Sequence, residues 1–172
     1  MATIFNKIIV LGMDNTGKTT LCKHLSKALD YKHITSLGPK ASLWEMMNFI
    51  DRNMKSEDPM VLERLCIFEE MVYGKVLRGF SQFDWDSSYL NTVQRALPLI
   101  IYCRPSREKI FNFGNREQME GVIEQKEKLL AAFDDLYFKL PGKKFFVTTY
   151  DFESVTAEEL VRKIKTWKGV TK

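Results

Sequence analysis

Gly12-Met13-Asp14-Asn15-Thr16-Gly17-Lys18-Thr19 satisfies G-x-x-x-x-G-K-[ST] at every fixed position. Among chains of 172 residues, chance produces that pattern in roughly one case in a hundred. The chemistry behind it is specific. Glycines let backbone N–H groups turn inward around phosphate oxygens, and the helix that follows adds the positive end of its dipole. The lysine of the pattern reaches the outer phosphates, and the next hydroxyl helps to hold Mg²⁺. Those roles fall to Lys18 and Thr19. On the N-terminal side, Ile4-Phe5 and Ile8-Ile9-Val10-Leu11 form a nearly continuous apolar run ending at Gly12. Such a run suits a strand buried on both faces of a parallel sheet. On the C-terminal side, Leu21, Leu25, Ala28 and Leu29 recur at helical spacing. Strand, loop and helix follow in the order a phosphate-binding loop requires.

The same alternation continues along the chain. His33–Leu37 reads as a second strand, closed by Gly38-Pro39. Ser42 and Glu45 have capping-box form, and Leu43, Met47, Ile50 and Met54 mark the helix they open. Pro59–Leu62 reads as a third strand delivering Glu63 and Arg64 at its end, with Leu65, Phe68, Val72 and Val76 spaced as a helix after it. Leu97–Cys103 is a fourth strand, followed by a polar, basic connection over Arg104–Arg116. Val122 through Leu140 carries the apolar spacing of a long helix, Lys144–Tyr150 is a last strand, and Thr156 with Glu159 caps a final helix. Strands alternating with helices imply an α/β three-layer sandwich, helices on both faces of a five-stranded parallel sheet. No linker-like tract or internal repeat interrupts the chain, so residues 1–172 are expected to form a single domain with a lid-like segment at about 104–121.

Composition excludes several classes. With 45% apolar residues, 9 Gly, 5 Pro, 12 Phe, 6 Tyr and 3 Trp, the chain is neither disordered nor collagen-like. Its early apolar run is too short for a signal-peptide core or a membrane span, so a cytoplasmic protein with no membrane partner is expected. Cys22, Cys66 and Cys103 form no CxxC pair and are odd in number, which predicts free thiols. Residues 1–40 hold six lysines against two aspartates, a surplus equal to the whole chain's net charge of +4. That surplus fits either a solvated basic helix face or attraction of a polyanionic ligand.

A phosphate loop defines a nucleotide-binding class and leaves the reaction open. Small GTPases would need a guanine-reading N-K-x-D string, which the chain lacks. Motor-type ATPases need a longer strand ending in Asp and partner domains for which there is little room. A small kinase, with the connection after Cys103 as its lid, is the class that fits.

Two segments carry a family resemblance. The loop Leu11–Thr20 (LGMDNTGKTT) resembles that of thymidylate kinases, which carry Asp at the place of Asp14 and end in G-K-T-T. The segment Glu63-Arg64 with Glu69–Gly79 (EEMVYGKVLRG) resembles their Asp-Arg segment, with Glu in place of Asp as in deoxynucleoside kinases. Val72–Arg78, Ile101–Ser106 and Gln118–Val122 are similar to nucleotide kinases encoded by bacteriophages. The likeness covers about Ile8 to Tyr150. It implies a P-loop kinase fold with ATP and Mg²⁺ as cofactors. Gly12, Asp14, Asn15, Thr16, Gly17, Lys18, Thr19 and Thr20 would then hold the nucleotide, with Thr19 and Glu63 on the metal. Asp14, Glu63, Arg64, Tyr73, Arg78 and Phe83 would bind the acceptor.

Lys18, Glu63 and Arg64 are the expected catalytic set, Glu63 as general base or water-mediated Mg²⁺ partner. A simple Glu63–Arg64 ion pair at a strand end is the structural alternative. Asn15 and Thr16 stand where some thymidylate kinases carry a loop arginine, so an arginine from elsewhere must neutralise the transferring phosphoryl group. Arg107 and Arg116 are favoured among Arg104, Arg107, Lys109 and Arg116. Phe80, Phe83, Trp85 and Tyr89 fit core packing or stacking on an acceptor base; Tyr150 and Asp151 fall where related kinases line the adenine.

The expected reaction moves the γ-phosphate of ATP to a (deoxy)nucleoside monophosphate. A hydroxyl acceptor, on a deoxynucleoside or a hydroxymethylated pyrimidine in DNA, is the alternative, with Lys23, Lys27, Lys32 and Lys40 available to a DNA backbone. A nucleotide-binding module without turnover is a third. The apolar face around Met46, Met47 and Met71 is read as core, with a homodimer interface as the alternative.

Overall fold

The computed structural model describes residues 3–167. Its five strands are β1 (Lys7–Leu11), β2 (Lys32–Ile34), β3 (Met60–Glu63), β4 (Leu99–Cys103) and β5 (Phe146–Tyr150). They form one parallel sheet in the order β2-β3-β1-β4-β5. The helices are α1 (Lys18–Leu29), α2 (Leu43–Lys55), α3 (Ile67–Glu69, continuing as a π-helix over Glu70–Arg78), α4 (Ser88–Arg95), α5 (Arg107–Phe111), α6 (Lys126–Lys139) and α7 (Ala157–Lys165).

Alternation along the strands feeds a separate apolar layer on each face of the sheet. Ile9, Leu11, Leu62, Ile100 and Tyr102 point to one side, where they meet α2, α3, α4 and α6 through residues such as Phe49, Phe68, Val93 and Phe133. Ile8, Val10, Val61, Leu99 and Ile101 point to the other, against Leu21 and Leu25 of α1 and Leu160 and Ile164 of α7. Met46 and Met71 are buried in the first layer and Met47 packs against it, so this face is core. Both capping boxes form: Ser42 with Glu45 opens α2, and Thr156 with Glu159 opens α7. All three cysteines are free thiols. Among the described residues no helix is long and apolar enough to cross a membrane.

Three elements depart from expectation. The second strand stops at Ile34, because it is an edge strand paired only with β3 and the chain turns away toward Gly38-Pro39. Val122 lies in successive turns that precede α6, with Val122 N–H donating to Met119 and Gln125 N–H to Gly121. The helix expected over Leu65–Val76 is mostly π-helical. Glu70 anchors its wider turns: Oε1 accepts from Arg78 Nη2 and, at 3.1 Å, from the Gln82 N–H. Apolar spacing does not distinguish that winding from an α-helix.

Candidate functional site

β1 is the central strand, and the chain leaves its carboxyl end at Gly12. Open parallel sheets bind ligands outside that edge. Gly12 has φ 143°, and a Cβ there would stand 2.7 Å from the Cys103 carbonyl oxygen, so the chain can leave β1 past the end of β4 only as glycine. Asn15 and Gly17 take left-handed conformations (φ 62° and 81°), which curl the backbone ahead of α1. The buried Thr16 hydroxyl closes the curl by donating to the Met13 carbonyl at 2.7 Å.

Asp14, Asn15, Thr16, Gly17, Lys18, Thr19 and Thr20 form one wall of a cleft of about 570 Å³. Glu63 and Arg64, leaving the end of β3, form a second wall, and Lys109 of α5 with Asn112, Arg116, Glu117 and Gln118 of the segment after it close the cleft. Gly12 does not line the cleft; it lies against Cys103 and Thr16. Lys18 is only 5% exposed. Its ammonium donates to the Met13 carbonyl and lies 3.4 Å from Thr16 Oγ1. Burial, reinforced by the positive charge of Arg64, pushes the Lys18 ammonium down to about 8.

The Thr19 hydroxyl donates to Glu63 Oε1 at 2.5 Å. A hydroxyl and a carboxylate side by side are hard oxygen donors of the kind Mg²⁺ takes. Arg64 has a left-handed backbone, φ 70°, a costly conformation of the sort that clusters at functional sites. Its N–H still pairs with the Val10 carbonyl at 3.0 Å, while Nη2 donates to Asp14 Oδ1. The phosphate loop and the end of β3 are thereby tied across the cleft. Arg64 Nε is buried without a hydrogen-bond partner.

The segment after β4 docks on the loop through Asn15. Asn15 Nδ2 donates to the Asn112 carbonyl at 2.9 Å, and Arg116 Nη1 donates to Asn15 Oδ1. Arg116 is therefore on the cleft wall. Arg107 is not: it pairs with Glu127 and lies over the Phe111 ring at 5.3 Å, on an exposed face of α5. Arg104 is also turned away, held by both oxygens of Asp134 at 2.9 and 3.2 Å. The two placements have a common feature. A carboxylate on α6 holds each guanidinium away from the cleft, Glu127 for Arg107 and Asp134 for Arg104.

The acceptor-side residues divide similarly. Tyr73 is buried with its ring edge-on to Phe133 at 5.6 Å, behind the cleft wall. Arg78 pairs with Glu70 and covers Phe80, while Phe83 is core against Tyr89. None of these three lines the cleft; Arg78 reaches back along its own π-helix to Glu70. Tyr150 is buried, and the Asp151 carboxylate caps its own turn through the Glu153 N–H and the Ser154 hydroxyl, both at 2.9 Å. The next residue, Phe152, lines the cleft and lies against Gly17. Phe152, Asn112, Glu117 and Gln118 were missed by sequence reasoning, since only tertiary proximity marks them. His33 was missed too: Nε2 lies 3.4 Å from Glu63 Oε2, buried and without a hydrogen bond.

No family model matches the sequence, and no curated protein matches it significantly. Solved structures do match, and the fold is one that solved P-loop kinases share. The chain is similar to deoxyadenosine kinase from M. mycoides with bound dCTP, at TM-score 0.58 and 20% identity over 92% of this chain and 96% of that one. Thymidylate kinase from Candida albicans gives TM-score 0.60 and 14% identity over 95% and 90%. The YorR protein from Bacillus subtilis, in complex with phosphorylated GDP, gives TM-score 0.71 and 17% identity over 92% of each chain. At these identities the likeness is one of fold.

Proposed function

We propose that the chain is an ATP-dependent phosphotransferase that moves the γ-phosphate to a (deoxy)nucleoside monophosphate. One observation carries this reading. Lys18, the Thr19–Glu63 pair, the Asp14–Arg64 pair and Arg116 all stand on the walls of one cleft at the carboxyl edge of the sheet. The bound nucleotides in the structural matches support a nucleotide or nucleoside acceptor.

In this account the loop amides and Lys18 hold the triphosphate, and Arg64, steadied by Asp14, holds the acceptor's anionic group. An acceptor oxygen forms the new P–O bond as the bond to the β,γ-bridging oxygen breaks and ADP departs. Thr19 and Glu63 would hold Mg²⁺, whose part is to offset phosphate charge. Arg116 neutralises charge on the transferring group. The test is a panel assay with labelled ATP, offering nucleosides, nucleoside monophosphates and hydroxymethylated DNA side by side. Label in a monophosphate acceptor supports the proposal; label in none overturns it.

A hydroxyl acceptor is favoured by one feature, the carboxylate of Glu63 at the place where a base would act. If that hydroxyl is carried on DNA, the exposed Lys23, Lys27 and Lys40 offer a backbone contact, whereas Lys32 is engaged by Asp58 at 2.5 Å. Activity on DNA would then fall steeply with salt, while activity on free nucleotides would not.

Arg116→Ala is expected to lower kcat at least tenfold with little change in ATP KM. Arg107→Ala, which breaks an exposed ion pair, should leave both constants within twofold. Steady-state kinetics on the two variants checks this; equal losses would return Arg107 to the site.

The Lys18 shift sets a pH dependence. Its folded value, about 8 against an ordinary 10.5, means that the unfolded chain binds the extra proton between those limits. Stability therefore rises with pH across that window, relieving a cost of about 3 kcal/mol at neutral pH. Phosphate oxygens beside Nζ reverse the preference, so triphosphate binding at pH 8 to 9 takes up a proton and weakens as pH rises. Calorimetric titration in two buffers of different ionisation enthalpy reads that uptake; identical heats would contradict it.

A further inference from the structure

We propose that Cys22, His33 and Glu63 form a binding site for one zinc ion, or a cation of similar softness, that shares Glu63 with the cleft wall. The three residues come from different elements. Cys22 lies on the inner face of α1, His33 on β2, and Glu63 at the end of β3. One ligand atom from each lies within 4.8 Å of the other two. Tetrahedral zinc, with bonds of about 2.0–2.3 Å, holds its ligand atoms about 3.3–3.7 Å apart. The cluster thus needs only about an ångström of closure to take the ion.

Two further facts make this more than close packing. His33 Nε2 is buried with no hydrogen-bond partner although Glu63 Oε2 is 3.4 Å away. A buried imidazole nitrogen without a partner is costly, and a metal bond would satisfy it. Cys22 is fully buried, yet its sulfur faces these two polar groups at one end of an otherwise apolar layer. Cys66 and Cys103 belong to no comparable cluster among the described residues.

The donor set selects the ion. One thiolate, one imidazole and one carboxylate suit zinc, cobalt or cadmium and do not suit Mg²⁺, which demands oxygen. As the Sγ–metal bond forms, the thiol proton leaves to solvent; the neutral imidazole donates its Nε2 lone pair, and a water completes four-coordination. The resulting site carries no net charge, which suits its burial.

Binding would also draw Glu63 away from Thr19. This consequence rests on the phosphotransferase reading: one zinc per chain should then inhibit transfer at saturating Mg²⁺, and a chelator should restore it. The site itself stands apart from that reading.

The test is a cobalt(II) titration of the full chain after removal of metals with a chelator. Expected are one ion per chain, intense visible bands of four-coordinate cobalt, a near-ultraviolet thiolate charge-transfer band, and displacement by zinc. Cys22→Ala should lose the charge-transfer band, His33→Gln, which removes a direct ligand, should weaken binding by more than the roughly 10- to 100-fold that loss of an outer partner costs, and Cys66→Ala should behave as the parent. Circular dichroism of the metal-free variants establishes that they fold. If Cys22→Ala does not, His33→Gln and the parent spectrum decide. A weak six-coordinate spectrum, or charge transfer surviving in Cys22→Ala, overturns the site. Calorimetric ATP binding by the metal-free chain, measured separately, distinguishes failure of this site from failure of the kinase reading.

Discussion

Lys18→Ala is expected to lose at least about 10²–10³-fold in kcat, the loss typical of removing one preorganised charge-stabilising donor, while the chain stays folded. The first half follows from position. Lys18 is the sole lysine within the phosphate loop, and it stands on the same wall as Thr19. The second half follows from burial. The ammonium is nearly inaccessible and its neighbour Arg64 is also cationic, so the folded chain bears a desolvation cost that alanine removes. Against that gain stands the loss of the bond to the Met13 carbonyl, which keeps Thr16 as a partner. Single-turnover kinetics and a thermal melt, run on the same preparation, check both halves. Undiminished turnover would remove Lys18 from the chemistry, and an unfolded variant would show its role to be structural.

Glu63→Gln carries the second large effect, and its size depends on the acceptor. Glu63 is tied to Thr19 through Oε1, while Oε2 lies near His33. Glutamine keeps the oxygen that accepts from Thr19 but cannot take a proton. A hydroxyl acceptor must lose its proton as it attacks, so loss of a general base should cost about 10²–10⁴-fold in the chemical step. A nucleotide phosphate is already anionic and needs no base. There the loss should be about tenfold, reflecting the weaker metal-side carboxylate alone. Equal losses on the two acceptors would show that Glu63 serves only the metal side.

How far the molecule was legible before folding differs by element. β1, the loop and α1 were readable because each is a local pattern: an apolar run, fixed glycines and a 3.6-residue stripe within residues 8–29. The capping boxes at Ser42 and Thr156 were readable for the same reason. The position of Glu63 and Arg64 on the cleft followed from topology, since β3 lies beside β1 and ends at the same edge. The choice among the arginines did not follow, because it is made by distant partners. Glu127 and Asp134 of α6 hold Arg107 and Arg104, whereas Asn15 brings in Arg116. Nothing local distinguishes these side chains. Arg78 and Phe83 were also candidates for the acceptor side, but Arg78 pairs with Glu70 of its own π-helix and Phe83 packs as core against Tyr89, partners that no local pattern shows. His33 and Phe152 are single residues on short segments, and only their neighbours in space give them a role.

The central claim is that the backbone between Gly12 and Thr20 wraps the triphosphate of ATP. It is tested most directly by amide resonances recorded while ATP and Mg²⁺ are titrated into the isotopically labelled chain. The account predicts saturable shifts largest at Asn15, Gly17, Lys18 and Thr19, with smaller ones at Glu63, Arg64 and Arg116. Shifts confined to residues outside this cleft, or none at millimolar ATP, would contradict it.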